Sequence, residues 1–317
     1  LSPSVEASLA KISASTIDRI YARNRDRVVK RLPRKKPSAS SRVLRAVPMS
    51  MIDWDEQEPG HLEVDSVFHS GGDGSGDFVY TIQAVDVATG WSERYAVLGK
   101  SWIVMEEAFK AIDHRLPFSI LEVHTDNGSE FLNGHMLRFW PQQVPGVQLT
   151  RNRPWSKNDS RFVEQKNFTQ VRAFLGRKRF DTVAQTWAIN YLYEIMEFYY
   201  NFFQPVFRTI EKVWTEESGR PRPKRKYDEP RTPLDRLIAT GTLSDEQRDH
   251  LLRLRDAINV RWLKLELDDL LSELASLPNA LPDQQENIYY TLARHRPFVK
   301  KGAWDPRSDS HLTQPLL

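Results

Sequence analysis

There is no cysteine anywhere in the 317 residues. That excludes disulfides and thiolate zinc sites, and it suits a reducing compartment. Long apolar runs are missing too: none approaches the ~18 residues a membrane-spanning helix needs. The opening stretch LSPSVEASLA lacks the basic-then-apolar order of a secretory signal. It also lacks an initiator methionine, so a fragment or a processed chain is expected. With 40% hydrophobic and 27% charged residues the composition fits a soluble globular protein, and the length fits two or three domains.

Negative charge is absent from particular segments. Formal net charge is only +3, yet residues 19–45 carry eleven Lys and Arg against the single acid Asp26. Residues 218–227, SGRPRPKRKY, hold five basic residues and no acid, and residues 151–179 hold nine against Asp159 and Glu164. Any one of these runs also reads as a solvated linker or face. Three in one chain point to a polyanionic partner.

The pattern along the chain changes twice. Residues 4–12 and 15–30 read as two helices, the second opening with Ser15 three residues before Asp18 in the manner of a capping box. Two short helices with a tight link fit the end of a helix-turn-helix, with Arg19 and Arg23 toward phosphates. The whole of 1–30 is expected to be a DNA-binding fragment, although many α-hairpins share this pattern. Residues 31–57, rich in Pro, Ser and basic residues, read as a basic linker that includes Lys35 and Lys36. Strands are expected at 61–69, 77–89 and 92–99, joined by short Gly-containing turns. A helix over 101–116, a strand over 119–126, a helix over 129–140, a strand over 147–151 and helices over 160–174 and 182–203 follow. A three-stranded antiparallel meander extended by parallel strands through helices is the ribonuclease H-like topology. The expected fold class is therefore α/β, a mixed five-stranded sheet with flanking helices over residues 58–205. A basic connector (206–232) and a C-terminal helical region with a tail (233–317) complete the chain.

Three acids stand out by position. Asp65 lies mid-strand between Val64 and Val67, Asp126 ends the fourth strand, and Glu164 lies one turn into a helix. Sixty residues separate Asp65 from Asp126, and thirty-seven separate Asp126 from Glu164. In this topology the first and fourth strands are neighbours, so Asp65 and Asp126 stand side by side with the helix of Glu164 crossing the same end. Converging carboxylates repel unless cations sit among them. Two Mg²⁺ or Mn²⁺ ions about 3.5–4 Å apart would relieve that repulsion and support phosphoryl transfer. On spacing alone each acid keeps a plainer reading: a surface strand residue, a turn opener, an exposed helix glutamate. Glu63 and Glu130 read as supporting or surface acids, and Asp86 as a strand-end residue.

The stretches EVDSV, HTDNGSEF and NDSRFVEQKN, in this order and spacing, resemble the catalytic core of DDE recombinases, the bacterial insertion-sequence transposases and retroviral integrases. The bacterial type is the nearer match. The resemblance covers roughly residues 58–205. It implies that Asp65, Asp126 and Glu164 are the catalytic, metal-holding triad. It further implies a DNA transposase or integrase that binds the terminal inverted repeats of a mobile element, nicks 3′ ends with metal-activated water and joins the 3′-OH to target DNA. Joining two ends in concert implies a homo-oligomer, a dimer or a higher synaptic complex. Location would be cytoplasmic, on the bacterial nucleoid, with no membrane partner. Lys157, Asn158, Arg161 and Lys166 around the start of the Glu164 helix, and Arg222, Lys224 and Arg225 in the connector, are candidate DNA contacts. Trp155 is open to two readings, base stacking or loop packing. A catalytically silent DNA-binding derivative and a ribonuclease H-like nuclease are the alternatives. The zinc-binding His/Cys module of retroviral integrases cannot exist without cysteine.

Overall fold

The computed structural model describes residues 2–28, 42–154, 156, 159–217, 220–281, 284 and 286–295. The chain divides into two units, residues 1–42 and 43–317.

The smaller unit holds α1 (Pro3–Leu9) and α2 (Ala14–Val28). The start of α2 differs from the sequence expectation. Ser13, not Ser15, caps it, its Oγ accepting the Thr16 N–H at 3.3 Å. The apolar positions expected to line these helices are present, but α1 buries no residue, and Val5, Leu9, Ile17 and Tyr21 are exposed. Lys35 and Lys36 lie outside the described residues.

The larger unit opens with α3 (Arg42–Ala46). It continues with β1 (His61–Phe68), β2 (Val79–Asp86), β3 (Ser92–Leu98), α4 (Trp102–Arg115), β4 (Glu122–Thr125), α5 (Met136–Gln143) and β5 (Gln148–Arg151). Next come α6 (Arg161–Lys166), a π-helical turn (Asn167–Arg172), α7 (Ala173–Leu175), α8 (Val183–Phe198) and a second π-turn (Tyr199–Phe203). The strands β6 (Thr209–Glu217) and β7 (Arg220–Tyr227) precede α9 (Pro233–Thr240), α10 (Asp245–Ala257) and α11 (Val260–Ser276). The main sheet has the order β3-β2-β1-β4-β5, with β1–β2 and β2–β3 antiparallel and β1–β4 and β4–β5 parallel. This is the ribonuclease H-like sheet expected from the sequence. Among the described residues no helix is long and apolar enough to cross a membrane.

Alternation along the strands splits the core in two. One face of the sheet packs Leu62, Val64, Ile82, Val97 and Val123 against Met105 and Phe109 of α4 and Met136 and Trp140 of α5. The other packs Val67, Ala96 and Leu98 against Ile189, Leu192 and Met196 of α8, behind which lie Leu263, Leu267 and Leu270 of α11. Each fully buried leucine of this kind contributes about 1.5–3 kcal/mol. Because α9 to α11 share this core, the expected C-terminal helical region is not a separate layer. The later part of the expected linker likewise belongs to the body: Val47 and Ile52 are buried, and Met49 bridges to Arg151.

Two other expectations change. The helix placed at 129–140 starts only at Met136, because Asn133 Oδ1 accepts the backbone N–H groups of His135 and Met136, both at 3.0 Å, and so fixes the start. The basic connector is not irregular chain: β6 and β7 pair antiparallel along its length. Pro221 and Pro223 argue against a strand there, since proline donates nothing to a ladder. They sit at alternate positions, so both fall in the set of residues whose backbone nitrogen faces away from β6, and the ladder closes through the other set.

The edge strand β3 is closed by two asparagines. Asn190 of α8 accepts from Ala96 N at 2.7 Å and donates to Ala96 O at 2.8 Å. Asn201 of the second π-turn does the same for Ser92, at 3.0 and 3.2 Å. Replacing Asn190 with alanine strands two buried backbone groups. We expect a loss of about 2 kcal/mol in urea unfolding, and an unchanged midpoint would show that the clamp contributes nothing.

His69, fully buried, bonds Thr81 through Nε2 at 2.8 Å, and burial beside Arg172 holds its imidazole down at about 3. The unfolded chain takes up a proton below about pH 6.5 that the folded chain refuses, so stability falls as pH drops from there, by up to ~1.4 kcal/mol per pH unit. The His69→Gln variant should flatten the pH 4–6.5 limb of the stability curve. An identical slope in both proteins would contradict this.

Candidate active site

The parallel register pairs Glu63 with His124 and Val64 with Thr125. One step further along both chains stand Asp65, midway along β1, and Asp126, just past the carboxyl end of β4. Crevices beyond such strand ends are where open α/β sheets hold ligands.

Both acids are fastened by their surroundings. Asp65 Oδ1 accepts the Ser66 backbone N–H and Oδ2 accepts Asn167 Nδ2, each at 2.8 Å. Asp126 Oδ1 accepts the Gly128 N–H at 2.8 Å, which closes a side-chain turn. Asn127 anchors that turn to β5, donating to Asn152 O at 3.1 Å and accepting from Arg151 Nη1 at 2.8 Å. Gly128 is needed for space: a Cβ there would stand 2.8 Å from both Asp126 Oδ1 and the Glu130 carboxyl carbon.

The α6 helix is placed by an acid on β1. Glu63, 1% exposed, accepts the N–H groups of Phe162 and Val163 at 2.7 and 2.9 Å. Burial pushes its carboxyl up to about 7 against these bonds. Glu164 follows directly and is exposed. After one further turn the backbone widens into the π-turn, which sets the buried Asn167 and Gln170 toward the sheet. Asn167 therefore reaches Asp65, while Gln170 accepts from Arg94 Nη1 at 2.6 Å. Asn167 is the site residue that sequence reasoning missed. Glu63 was read as a supporting or surface acid, and it is the supporting one: buried, on the strand face that carries Asp65. Nothing in sequence announces a π-turn.

Desolvation and then the charges of Asp126, Glu164 and Glu130 push Asp65 up to about 6. Asp126 is raised by burial and by Glu130. Glu130 acts on both aspartates and accepts from Ser66 Oγ at 3.1 Å. Glu164 acts on Asp65 and on Glu63. Among the described residues, no three His, Asp or Glu side chains are drawn into a coordination shell. The donor set nevertheless fits a hard divalent cation: it is all oxygen, and the charges of Asp126, Glu164 and Glu130 add to burial in raising Asp65.

The expected DNA contacts fall in different places. Arg19 and Arg23 are exposed on α2 in the smaller unit. Arg161 is half-buried with its guanidinium 4.8 Å from the Phe162 ring. Lys166 is half-buried, and burial beside Arg94 lowers its amine to about 8, so it is directed inward rather than to the surface. Lys224 and Arg225 are exposed on β7, and for Arg222 only the backbone is described. Lys157, Asn158 and Trp155 lie outside the described residues.

No family model matches the chain. It is 36% identical over 214 residues to the uncharacterized protein y4rM of Sinorhizobium fredii (strain NBRC 101917 / NGR234), a match spanning 67% of this chain and 60% of that protein. Among solved structures it is similar to the catalytic core domain of BIV integrase, at 16% identity and a TM-score of 0.28, over 34% of this chain and 64% of that one. A chain of a simian T-cell lymphotropic virus intasome in complex with PP2A regulatory subunit B56 gamma shares 12% identity at a TM-score of 0.39, over 58% and 72%. Overlaps of this size leave the strand order and register, not the neighbours, as the basis for the fold.

Without metal, Asp65→Asn removes a repelled charge. The spare acceptor Asn167 Oδ1, buried with no partner, can receive the new amide when the Asn167 group turns over. In chelator at neutral pH the variant should be more stable than the parent by about 1–2 kcal/mol in urea unfolding. Millimolar Mg²⁺ should stabilise the parent and leave the variant unmoved. A destabilised variant, or equal Mg²⁺ responses, would contradict the site.

Proposed function

We propose that this protein is a DDE-type DNA transposase or integrase, a polynucleotidyl transferase that cuts and joins DNA strands at mobile-element ends. The observation that carries the reading is the set of carboxylates gathered where β1 and β4 run side by side, with Asp65 raised by burial and then by Asp126, Glu164 and Glu130, and Asp126 by burial and then by Glu130. A pair of Mg²⁺ or Mn²⁺ ions held by Asp65, Asp126 and Glu164 would supply Lewis-acid activation of the attacking oxygen and charge stabilisation at the leaving oxygen of an in-line displacement.

The chain's own groups do the positioning. Ser66 N and Asn167 Nδ2 fix the Asp65 carboxylate in one rotamer. The Asn127–Gly128 turn fixes Asp126 across from it. Glu63 holds the first turn of α6 and so sets where Glu164 stands. Asp126 is partly exposed and Glu164 exposed, which leaves the crevice open to a polymer that passes along it. The exposed cations Lys224, Arg225 and Lys226 would neutralise phosphates of that polymer. Strand transfer at two ends calls for at least two protomers, so the working form is a homo-oligomer assembled on the element ends and target DNA, acting on the chromosome in the cytoplasm. Specific end recognition would fall to the smaller unit, with Arg19 and Arg23.

The test is incubation with duplexes carrying the sequences that flank the gene, with Mg²⁺ or Mn²⁺, scoring 3′ nicking and joining to a second duplex. Joined products are expected, and Asp65→Asn and Asp126→Asn should each lower the rate by about a thousandfold or more, since each removes a ligand of the two-ion centre. Cutting without joining would make the protein a nuclease. Tight binding with neither would make it a silent DNA-binding derivative.

A further inference from the structure

The sheet sets Asp65 and Asp126 side by side, but Glu164 rides on a separate helix. The bonds already described tie that helix to β1: Glu63 accepts the Phe162 and Val163 N–H groups, and Asn167 donates to Asp65. They fix α6 along β1. Its distance from β4, the strand that leads into Asp126, has to be set by something else.

Asn152, one residue past β5, makes that link. Its backbone N–H donates to Thr125 O at 2.9 Å and its carbonyl accepts Asn127 Nδ2 at 3.1 Å, so its main chain is bonded to both neighbours of Asp126. Its side-chain oxygen accepts from His124 Nε2 at 2.6 Å and from Ser160 Oγ at 2.8 Å. Ser160 is the residue that precedes α6, and its carbonyl accepts the N–H of Glu164 itself at 3.0 Å. A continuous path of hydrogen bonds therefore runs from the residues beside Asp126, through Asn152 and Ser160, to the backbone of Glu164. Among the described residues no other side chain hydrogen-bonds both to β4 and to the start of α6. The surroundings keep the link in place. His124 and Ser160 are buried, and His124 is held from its other side, Nδ1 to Thr150 Oγ1 at 2.9 Å. One residue further out, buried Asp159 accepts from Arg153 N and Nε, both at 3.0 Å, and from Nη2 at 2.7 Å, which cinches the same loop and brings Asn152 and Ser160 together.

We infer that Asn152 is a positioning residue that sets the separation of Asp126 and Glu164, and with it the affinity of the carboxylate crevice for a divalent cation. Its amide oxygen is already shared by two donors, so it acts on the ion through the carboxylates it spaces. Groups that orient ligands in this way govern metal affinity by about 10–100-fold. A hard cation closes its shell only when oxygens from separate elements stand at the right distance together. Glu63 and Asn167 supply that distance with respect to Asp65, and Asn152 supplies it with respect to Asp126. This inference rests on the proposed carboxylate site.

The test titrates the full chain with Mn²⁺, reads the bound ion by electron paramagnetic resonance, and records the urea midpoint of each protein beside it. Asn152→Ala and Ser160→Ala each remove one half of the bond between them, and each should bind Mn²⁺ about tenfold or more weakly than the parent. Ser160→Thr keeps the hydroxyl and should bind like the parent. Asn190→Ala, altered at the outer edge of the sheet, should lower the urea midpoint and keep the parent's affinity. Parent-like affinity in either alanine variant of the link would overturn the positioning role and leave the carboxylate site standing. A loss in Asn190→Ala equal to theirs would do the same, because affinity would then follow stability alone. So would a Ser160→Thr protein as weak as Ser160→Ala. A parent that binds no Mn²⁺ in the millimolar range would overturn the carboxylate site itself, and the inference with it.

Discussion

Two neighbouring parallel strands present Asp65 and Asp126 at the same level, where burial first and the repulsion of nearby carboxylates second raise both. The rest of the site is organised around that repulsion. Asp65 is the more affected, because it lies within reach of Asp126, Glu164 and Glu130 and is also desolvated. A fold keeps such an arrangement only if donors hold each carboxylate in place until positive charge arrives. Here the donors are backbone and amide groups, not lysines or arginines: Ser66 N, Asn167 Nδ2 and Gly128 N. Neutral donors orient a carboxylate without cancelling its charge, so its affinity for a cation survives. A salt bridge at the same place would have removed it.

Outside the crevice, the support reaches deep into the larger unit. The π-turn that lets Asn167 touch Asp65 also lets Gln170 hold Arg94, so one backbone irregularity serves both the site and the polar row beneath it. Two acids that make no claim to chemistry do comparable work: Glu63 seats the start of α6, and Asp86 ties Gly60 and Thr89 at the far end of β2. On the opposite flank, Asn190 and Asn201 replace a missing strand neighbour for β3. The sheet is thus fixed at its edge and centre, which is what a geometry-dependent site needs.

Much of this was legible in the sequence because the signals were periodic. The alternation of HLEVDSVF and the amphipathic spacing of 182–203 state strand and helix plainly, and the alternating meander followed by helix–strand units leads to the strand order found. Asp65 was conspicuous as an acid in an apolar strand. Elements set by side-chain caps or paired through prolines were not legible. The helix after Glu130 starts later than its apolar spacing suggests because Asn133 Oδ1 holds the His135 and Met136 N–H groups, and RPRPKRK reads as linker until its strand pairing with β6 is seen. Asn167 was missed, and the partner of Glu63 went unread, because both contacts are made across 99 to 102 residues of sequence, which no local pattern encodes.

The central claim is that the clustered carboxylates form a divalent-cation centre. Electron paramagnetic resonance of Mn²⁺ in solution measures this directly, since the bound ion loses the sharp six-line signal of the free one. Titration of the protein should remove free Mn²⁺ with a stoichiometry rising toward about two ions per chain, as a two-ion phosphoryl-transfer site requires. Asp126→Asn should abolish most of that binding. Failure of the parent to bind Mn²⁺ in the millimolar range, or equal binding by the variant, would contradict the account.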